Sequence, residues 1–243
     1  MRVLLFKEIR GFFSSLTGYI VLIVFLIING LFMWVFPGDL NVLDSGYASL
    51  DSLFNMAPWI FLFLVPAITM RSFAEEKRAG TMEFLFTKPL TDTQIIVAKY
   101  LGSLAVVLLS LLPCLLFYWS VSNLGNPPEN LDTGGTWGAF LGLFFLAAIY
   151  VAIGLFASAL TENQIIAFIV AVLLSFTVYS GFDYLSSIPG LQSFDAFILN
   201  LGINEHYKSI SRGVVDSRDV IYYLATITFF TFLTKIKLQS RNW

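Results

Sequence analysis

The densest group of charged side chains in this 243-residue sequence lies between Arg71 and Lys99. Five of the fourteen basic residues fall there together with four acidic residues, and their spacing suits pairing along a helix rather than catalysis. Arg71 and Glu75 are four residues apart, and Glu75 and Arg78 are three apart, so opposite charges share one helical face. The pattern predicts a charged helix whose ion pairs form within the helix.

A second, shorter helix is predicted directly after the charged one. Gly80 is suited to end the first helix in the left-handed conformation, and Thr81 is suited to cap the second. Pro89 closes the second helix, one face of which carries an apolar stripe of Met82, Leu85 and Phe86. An exposed apolar stripe on a short helix, flanked by charges of both signs, is suited to bind in a groove of a partner protein. The alternative is a solvated loop that only marks the positive side of a membrane protein.

The pattern Thr-x-x-Gln occurs twice where further helices are expected to begin, at Thr91–Gln94 and at Thr161–Gln164. In such a capping box the threonine oxygen and the glutamine side chain satisfy free N–H groups at the helix start. The second site consists of Thr161, Glu162, Asn163 and Gln164, and its acidic residue suits the helix dipole. Capping explains both patterns, and a contact with a cytosolic partner is the alternative.

The sequence lacks the groups that would support chemistry of its own. It contains no G-x-x-x-x-G-K-[ST] pattern, so we expect neither a bound nucleotide nor enzyme activity. His206 and Cys114 are the lone histidine and the lone cysteine, so we expect no metal, no cofactor and no internal disulfide. His206 is expected to be a satisfied or solvent-facing histidine. A net charge of −2 provides no basic field for nucleic acid.

The composition indicates whether these helices lie in water or in a membrane. Charged residues make up 12% of the chain and hydrophobic residues 57%, whereas soluble domains carry about 25% charged residues. This excludes a soluble enzyme, a disordered chain and a disulfide-stapled secreted domain. Six stretches contain no Asp, Glu, Lys or Arg, and all but the last match the length of a membrane helix. They are 11–38, 52–70, 100–128, 133–161, 163–182 and 220–234.

We therefore predict an all-α polytopic membrane protein that forms a single transmembrane domain over residues 1–243. The last charge-free stretch is short, and it can span if Lys235 and Lys237 extend outward to the headgroups. The first span is expected to remain as an anchor, because its apolar stretch is too long for a cleaved signal peptide. The six predicted spans are 17–36, 55–73, 95–119, 137–160, 164–184 and 219–237.

Loop charges predict the orientation of these spans. Eleven of the fourteen basic residues fall on the side of the N-terminus, and the other three share the outer loop 186–218, which is too polar to span. By the positive-inside rule both termini are cytoplasmic, which requires an even number of spans. An amphipathic helix in the membrane interface is expected before the first span, because Arg2, Lys7 and Arg10 interleave with apolar residues.

Polar groups are scarce inside the predicted spans. No span has an acidic or basic side chain near its middle, which argues against a proton- or ion-coupled carrier. The fourth span carries Gly138-x-x-x-Gly142 and Gly154-x-x-x-Ser158, and small residues at this spacing let helices approach closely. They serve either packing within the subunit or a subunit interface. Asp216 is expected to cap the sixth span.

Residues 71–90, RSFAEEKRAGTMEFLFTKPL, resemble the ABC-2 class of ABC transporter permeases, which carry an R-x-x-x-E-E-(K/R)-x-x-G-T-x-E-x-L pattern after the second span. Further similar stretches at Lys7–Arg10, Thr161–Ile165 and Arg212–Asp219 extend the resemblance over nearly the whole chain. The combination most resembles the gliding-motility-associated permease subunit (GldF-type) of Bacteroidetes. Copper permeases related to nitrous oxide carry similar patterns.

The resemblance implies a six-helix half-transporter in the cell inner membrane. It would pair with a second permease subunit, as a homodimer or a heterodimer, and with separate cytoplasmic ABC ATPases that bind the ATP. Segment 71–92 would contain a short cytoplasmic coupling helix that transmits ATPase motion, with Glu75, Glu76, Lys77, Arg78, Gly80, Thr81 and Glu83 as its residues. The turn Thr161, Glu162, Asn163 and Gln164 would make a second, smaller contact.

The sequence leaves three functions open. The first is a permease subunit of an ATP-driven complex that supports gliding motility or secretion. The second is a secondary carrier or channel, which would show gradient-driven flux when reconstituted alone. The third is a non-transporting membrane scaffold for motility or secretion machinery, which would be indifferent to ATP hydrolysis.

Overall fold

The computed structural model describes residues 1–127, 130–189 and 194–240, and every regular element in these ranges is helical. Residues 190–193 of the predicted outer loop and Arg241 lie outside the described residues. A π-helical turn, Thr177–Gly181, separates α10 from α11. The helices are α1 (Arg2–Phe13), α2 (Leu16–Trp34), α3 (Val42–Ser45), α4 (Asp51–Thr69), α5 (Arg71–Arg78), α6 (Met82–Phe86), α7 (Asp92–Leu111), α8 (Cys114–Leu124), α9 (Thr133–Leu160), α10 (Gln164–Phe176), α11 (Phe182–Ser186), α12 (Asp195–Leu199), α13 (Ile203–Ser211) and α14 (Ser217–Gln239).

The predicted all-α polytopic fold is confirmed. Five helical stretches are long and apolar enough to cross a membrane, and there are six if α1 and α2, which meet at 67°, count as one span. The short charge-free stretch 220–234 lies within the 23 residues of α14. At 1.5 Å per residue, such a helix is about 34 Å long and can cross a hydrocarbon core of about 30 Å. The five stretches are Asp51–Arg78, Asp92–Leu124, Thr133–Leu160, Gln164–Ser186 and Ser217–Gln239.

Helix α9 forms the centre of the bundle and contacts α4, α10, α13 and α14. Every residue from Leu146 to Leu155 is buried. A Cβ atom on Gly154 would lie 2.0 Å from Thr69 Oγ1, and one on Gly138 would lie 2.6 Å from the Cα of Gly213. Both small-residue motifs therefore serve packing within the chain, because they allow α4 and the α13–α14 connection to approach the backbone of α9.

The two ends of α9 define the two sides of the molecule. Its C-terminal end lies beside α5, and we call this end of the bundle, to which α1 also belongs, the N-terminal side. Its N-terminal end lies beside α13, on the opposite side. Helix α14 begins on the opposite side with Asp216, whose side chain accepts a hydrogen bond from the Arg218 N–H, so this predicted cap is confirmed.

The predicted amphipathic N-terminal helix is α1, and it is held against α7. Leu4 is buried, and a Cβ atom on Gly102 of α7 would lie 2.9 Å from the Cβ of Glu8. Val3 and Phe6 are exposed on its other face. Because Gly102 lacks a side chain, α1 approaches α7 closely enough for the two helices to share charged partners.

Candidate functional site

The chain folds the segment 71–92 into two helices in series at the end of α4. Helix α5 continues almost directly from α4 through Met70, and the Gly80 turn leads into α6. Gly80 has φ = 66°, the left-handed conformation predicted for the end of the first helix. The predicted pair of helices is therefore confirmed.

Ser158 of α9 fixes the junction between α4 and α5. Its hydroxyl accepts hydrogen bonds from the N–H groups of Phe73 at 3.0 Å and Ala74 at 3.1 Å, and it donates one to the Met70 carbonyl at 2.9 Å. Helix α5 has no side-chain cap from its own N-terminal residue. Ser158 supplies the missing acceptor from 84 or 85 residues away, so the start of α5 is positioned by the central helix of the bundle.

Lys99 of α7 lies at the centre of a buried ion network. Its side chain is 1% exposed, and its ammonium donates hydrogen bonds to Glu8 Oε1 at 2.9 Å and to the Ser72 carbonyl at 2.6 Å. Glu76 Oε2 lies 3.0 Å from the same nitrogen, and Glu76 Oε1 accepts a hydrogen bond from Lys7 at 3.2 Å. The network ties α1, α5 and α7 together.

The sequence did not indicate the partners of Lys99. The loop charges include it, but it lies within the predicted span 95–119, and the structure places it in the eighth position of α7. Glu8 is 91 residues away in sequence, and nothing in the local pattern marks it as a partner. A signal does exist in retrospect, because Lys99 has no acidic residue at i+3 or i+4 to satisfy it locally.

The predicted ion pairs within α5 do not form. Among the described residues, Arg71, Glu75 and Arg78 make no ion pair, and the charge on α5 that finds cationic partners is Glu76. Helical pairs at this spacing contribute only about 0.2–0.5 kcal/mol when exposed. The buried Lys99 needs a carboxylate far more than the partly buried Arg71 does, so the network forms on the inward face.

Lys77 joins the two segments that the sequence singled out. Its ammonium donates a hydrogen bond to the Ala159 carbonyl at the end of α9, and Glu162 and Lys237 lie within electrostatic range. The turn Thr161–Gln164 therefore lies beside α5, on the same side of the molecule. Glu162 and Asn163 are exposed there, whereas Thr161 and Gln164 are partly buried.

Two of the predicted caps are wrong, and a third is confirmed. Thr91 and Gln94 form the full reciprocal capping box at the start of α7. At the start of α10, Asn163 caps the Ile165 N–H instead, because Thr161 still ends α9 in an extended conformation. The Thr81 hydroxyl does not cap α6. It donates to the Glu76 carbonyl and so helps to close α5.

The predicted apolar stripe on α6 faces the bundle rather than a partner. Met82 is buried, and Leu85 and Phe86 are half-buried. The exposed apolar side chain is Phe84, which the sequence analysis left out of the stripe and which is 71% exposed. It stands within an exposed charged and polar surface that comprises Glu75, Arg78, Gly80, Thr81, Glu83 and Lys88.

On the opposite side, the lone histidine lies in a second polar cluster. His206 Nδ1 lies 2.7 Å from Asp219 Oδ1, its Nε2 lies 3.0 Å from the Asn200 carbonyl, and its ring stacks on Tyr222 at 3.9 Å. It is thus the satisfied histidine that the sequence favours. Nearby, Tyr207 donates a hydrogen bond to the Phe54 carbonyl at 2.7 Å, and burial raises its pKa well above the ordinary value. The part of the chain that the structure describes contains no group of three metal-ligating side chains.

Comparisons with known proteins agree with this arrangement. A family model described as "ABC-2 family transporter protein" matches residues 40–202, which include both segments on the N-terminal side. The probable multidrug ABC transporter permease YbhS of Escherichia coli (strain K12) is 27% identical over 181 residues, or 69% of this chain and 45% of YbhS. The protein of the same name from Escherichia coli O157:H7 matches to the same extent. The chain thus spans about half the length of the curated relatives it matches.

Proposed function

The chain belongs to the ABC-2 family of transporter proteins, and from this membership we propose that it is the membrane-spanning permease subunit of an ATP-driven complex. A separate ABC ATPase on the cytoplasmic side would bind and hydrolyse ATP, and segment 71–92 would receive its motion. The turn Thr161–Gln164 would add a smaller contact. This assignment places both termini in the cytoplasm and the chain in the cell inner membrane, with membrane lipid around it.

One observation carries the proposal: α6 exposes an apolar side chain, and α5, which precedes α6, is bonded to three other helices. Phe84 is 71% exposed, although α6, which bears it, is only five residues long. Aromatic residues are enriched among those that dominate binding energy at protein interfaces, where they are surrounded by a polar rim. Glu83 and Arg78 would surround Phe84 with both charge signs, as expected at the rim of such a contact.

The helices behind Phe84 provide a route for motion. Helix α5 continues the line of α4, is bonded to α9 through Ser158 and Lys77, and is linked to α1 and α7 through Glu76. A displacement of α6 would therefore act on several membrane helices together rather than on a flexible loop. Packed elements of this kind transmit displacement because protein interiors are dense and poorly compressible.

The family resemblance supports a second permease subunit. We propose that two permease subunits, identical or different, assemble with the ATPase. A role in gliding motility or secretion rests on the resemblance of segment 71–90.

The test is co-purification with the cognate ATPase and stimulation of its activity. Phe84→Ala and Glu83→Lys are expected to weaken the association by about tenfold or more, because truncation of a central aromatic anchor typically removes more than about 1.4 kcal/mol. Phe194→Ala is the matched control, since Phe194 is 63% exposed on the opposite side and should leave the association unchanged.

Each rival function would give a different result. If the Phe84→Ala and Glu83→Lys variants assembled and stimulated the ATPase normally, the coupling role of segment 71–92 would be wrong. Gradient-driven flux through the purified chain alone in liposomes would identify a carrier or channel. Association with partners that left ATP hydrolysis unchanged would identify a scaffold.

A further inference from the structure

A cavity of about 370 Å³ lies between α1, the α4–α5 junction and α7. The polarity of its lining changes along the bundle. Ile68, Phe12 and Val106 line one end, and Glu75, Glu76 and Lys7 line the other. Because α4 runs toward the N-terminal side and α7 runs away from it, Ile68 and Val106 lie deeper in the membrane region than Glu75 and Lys99. The cavity is thus apolar toward the membrane core and charged toward the surface.

Most of the charges around this cavity are already neutralised by each other. Lys99 pairs with Glu8 and Glu76, and Lys7 pairs with Glu76. Two charges of opposite sign remain, Arg71 and Glu75, and neither has an ion-pair or hydrogen-bond partner among the described residues. They are four residues apart on one helix, a spacing that permits pairing, yet they do not pair. The wall therefore presents a separate cation and a separate anion.

We propose that this cavity binds a phospholipid with a zwitterionic, hydrogen-bonding headgroup, of which phosphatidylethanolamine is the representative. The phosphodiester would accept hydrogen bonds from the Arg71 guanidinium, and the primary ammonium would donate to the Glu75 carboxylate. The acyl chains would leave the apolar end past Phe12, which is only partly buried, because Ile68 and Val106 are almost fully buried. The cavity volume lies within the range of about 300–1,000 Å³ that is typical of ligand sites.

The charges discriminate between classes of headgroup. An anionic headgroup would bind Arg71 but would leave Glu75 facing a negative group. A choline headgroup carries positive charge but has no N–H with which to bond to Glu75. Only a headgroup that combines a phosphate with a primary ammonium satisfies both side chains. The proposal depends on the membrane location of the chain and not on its association with an ATPase.

Native mass spectrometry of the purified full chain tests the site. The chain is mixed with equal amounts of phosphatidylethanolamine, phosphatidylcholine and phosphatidylglycerol, and the retained lipids are counted. We expect phosphatidylethanolamine to be retained about tenfold more than the other two, because one charge-assisted hydrogen bond accounts for a factor of that order. Glu75→Gln should abolish this preference, and Arg71→Gln should lower retention of all three.

Controls separate the site from general lipid binding. Arg10 is exposed on α1 and does not line the cavity, so Arg10→Gln should retain the three lipids as the unaltered chain does. Equal retention of the three lipids, or equal effects of Arg71→Gln and Arg10→Gln, would overturn the proposal. Soluble glycerophosphoethanolamine is the second arm: if it binds as tightly as the lipid, the ligand is a soluble phosphate compound instead. Because Glu75 is exposed, we expect the Glu75→Gln variant to fold. It therefore tests the site even if the Arg71→Gln variant does not fold.

Discussion

Lys99 is a buried cation with two carboxylates and one carbonyl around it, and it stands where three helices meet. At 1% exposure the ammonium has lost its contact with water, and removing an ion from water without partners costs several kcal/mol. The network is therefore an obligatory unit: Glu8 and Glu76 stabilise Lys99, and each carboxylate depends on it in turn. The arrangement holds α1 against α7 and orients α5.

Removing Lys99 alone should destabilise the chain more than removing the whole network. Lys99→Met leaves Glu8 and Glu76 without their shared cation, and we expect a loss of about 3–5 kcal/mol of folding free energy. The triple variant Lys99→Met/Glu8→Gln/Glu76→Gln should recover much of this loss. Thermal unfolding in detergent measures both. Lys88→Met, at an exposed position, is the control, and a triple variant no more stable than Lys99→Met would contradict the argument.

His206 offers a second test at the level of single residues. Both of its ring nitrogens face acceptors, Asp219 Oδ1 and the Asn200 carbonyl, so both hydrogen bonds form only when both nitrogens carry protons. His206→Phe keeps the stacking on Tyr222 but leaves the buried Asp219 without this donor. We expect a loss of about 1.5–3 kcal/mol, measured by thermal unfolding in detergent.

Asp219→Asn in the His206→Phe background separates the charge of Asp219 from its packing. A neutral amide costs less to leave without this partner than a buried carboxylate does, so the double variant should be more stable than His206→Phe alone. Lys208→Ala, which removes an exposed pair with Glu205, should change little. If Lys208→Ala were as damaging as His206→Phe, the loss would reflect the loop as a whole and not this hydrogen bond.

At the scale of elements, local features were predictable and distant partners were not. The spans follow from stretches of uncharged residues, and the caps at Thr91 and Asp216 follow from nearest neighbours in sequence. The cap at Thr81 failed because its hydroxyl donates to the Glu76 carbonyl of the preceding helix, and the cap at Thr161 failed because its hydroxyl accepts a hydrogen bond from the Asn163 N–H instead. Ser158 was identified as a small packing residue, but its three hydrogen bonds join groups more than 80 residues apart.

The residues that the sequence assigned to coupling do not share one face, and their coupling role stays a prediction. Glu76 and Lys77 are partly buried against the bundle, whereas Glu75, Arg78 and Glu83 are exposed. Helical periodicity indicates which residues share a face, but not which neighbouring helix that face meets. The exposure of Phe84 depends on how α6 packs against the bundle, and a helix of five residues is too short to show a periodic pattern.

The close contact between α9 and α4 leads to a prediction for Gly154. A Cβ atom there would lie 2.0 Å from Thr69 Oγ1 and 2.8 Å from its Cβ, so Gly154→Ala must displace the end of α4. We expect a loss of about 1–3 kcal/mol from overpacking, together with weaker ATPase stimulation, because α5 begins two residues after Thr69. Thermal unfolding and stimulation of the cognate ATPase measure the two effects.

Gly11→Ala is the matched control for Gly154→Ala. A Cβ atom at Gly11 meets nothing within 4 Å, and alanine favours the helix there. Thr69→Ala combined with Gly154→Ala removes the nearest clash but not the 2.8 Å contact, so it should restore part of the stability. A Gly154→Ala variant as stable as Gly11→Ala would mean that the two helices do not approach as closely as the structure shows.

At the scale of the whole molecule, the distribution of charge bears on the orientation that the functional proposal needs. Ten of the thirteen basic residues in the described part of the chain belong to the N-terminal side, which also carries the exposed surface around Phe84. If that side is cytoplasmic, the surface is accessible to an ATPase, and if it is not, the proposed coupling is impossible. Orientation is therefore the assumption on which the largest part of the functional proposal rests.

Cysteine labelling tests the orientation and the number of spans together. In a Cys114→Ala background, single cysteines are placed at exposed positions Ser14, Lys88, Val214 and Ser240. The positive-inside rule predicts that a membrane-impermeant maleimide modifies only Val214→Cys in intact cells, and the other three after permeabilisation. Labelling of Lys88→Cys from outside would exclude an ATPase contact at segment 71–92. Labelling of Ser14→Cys and Ser240→Cys from different sides would mean an odd number of spans, so that α1 and α2 together would not cross the membrane.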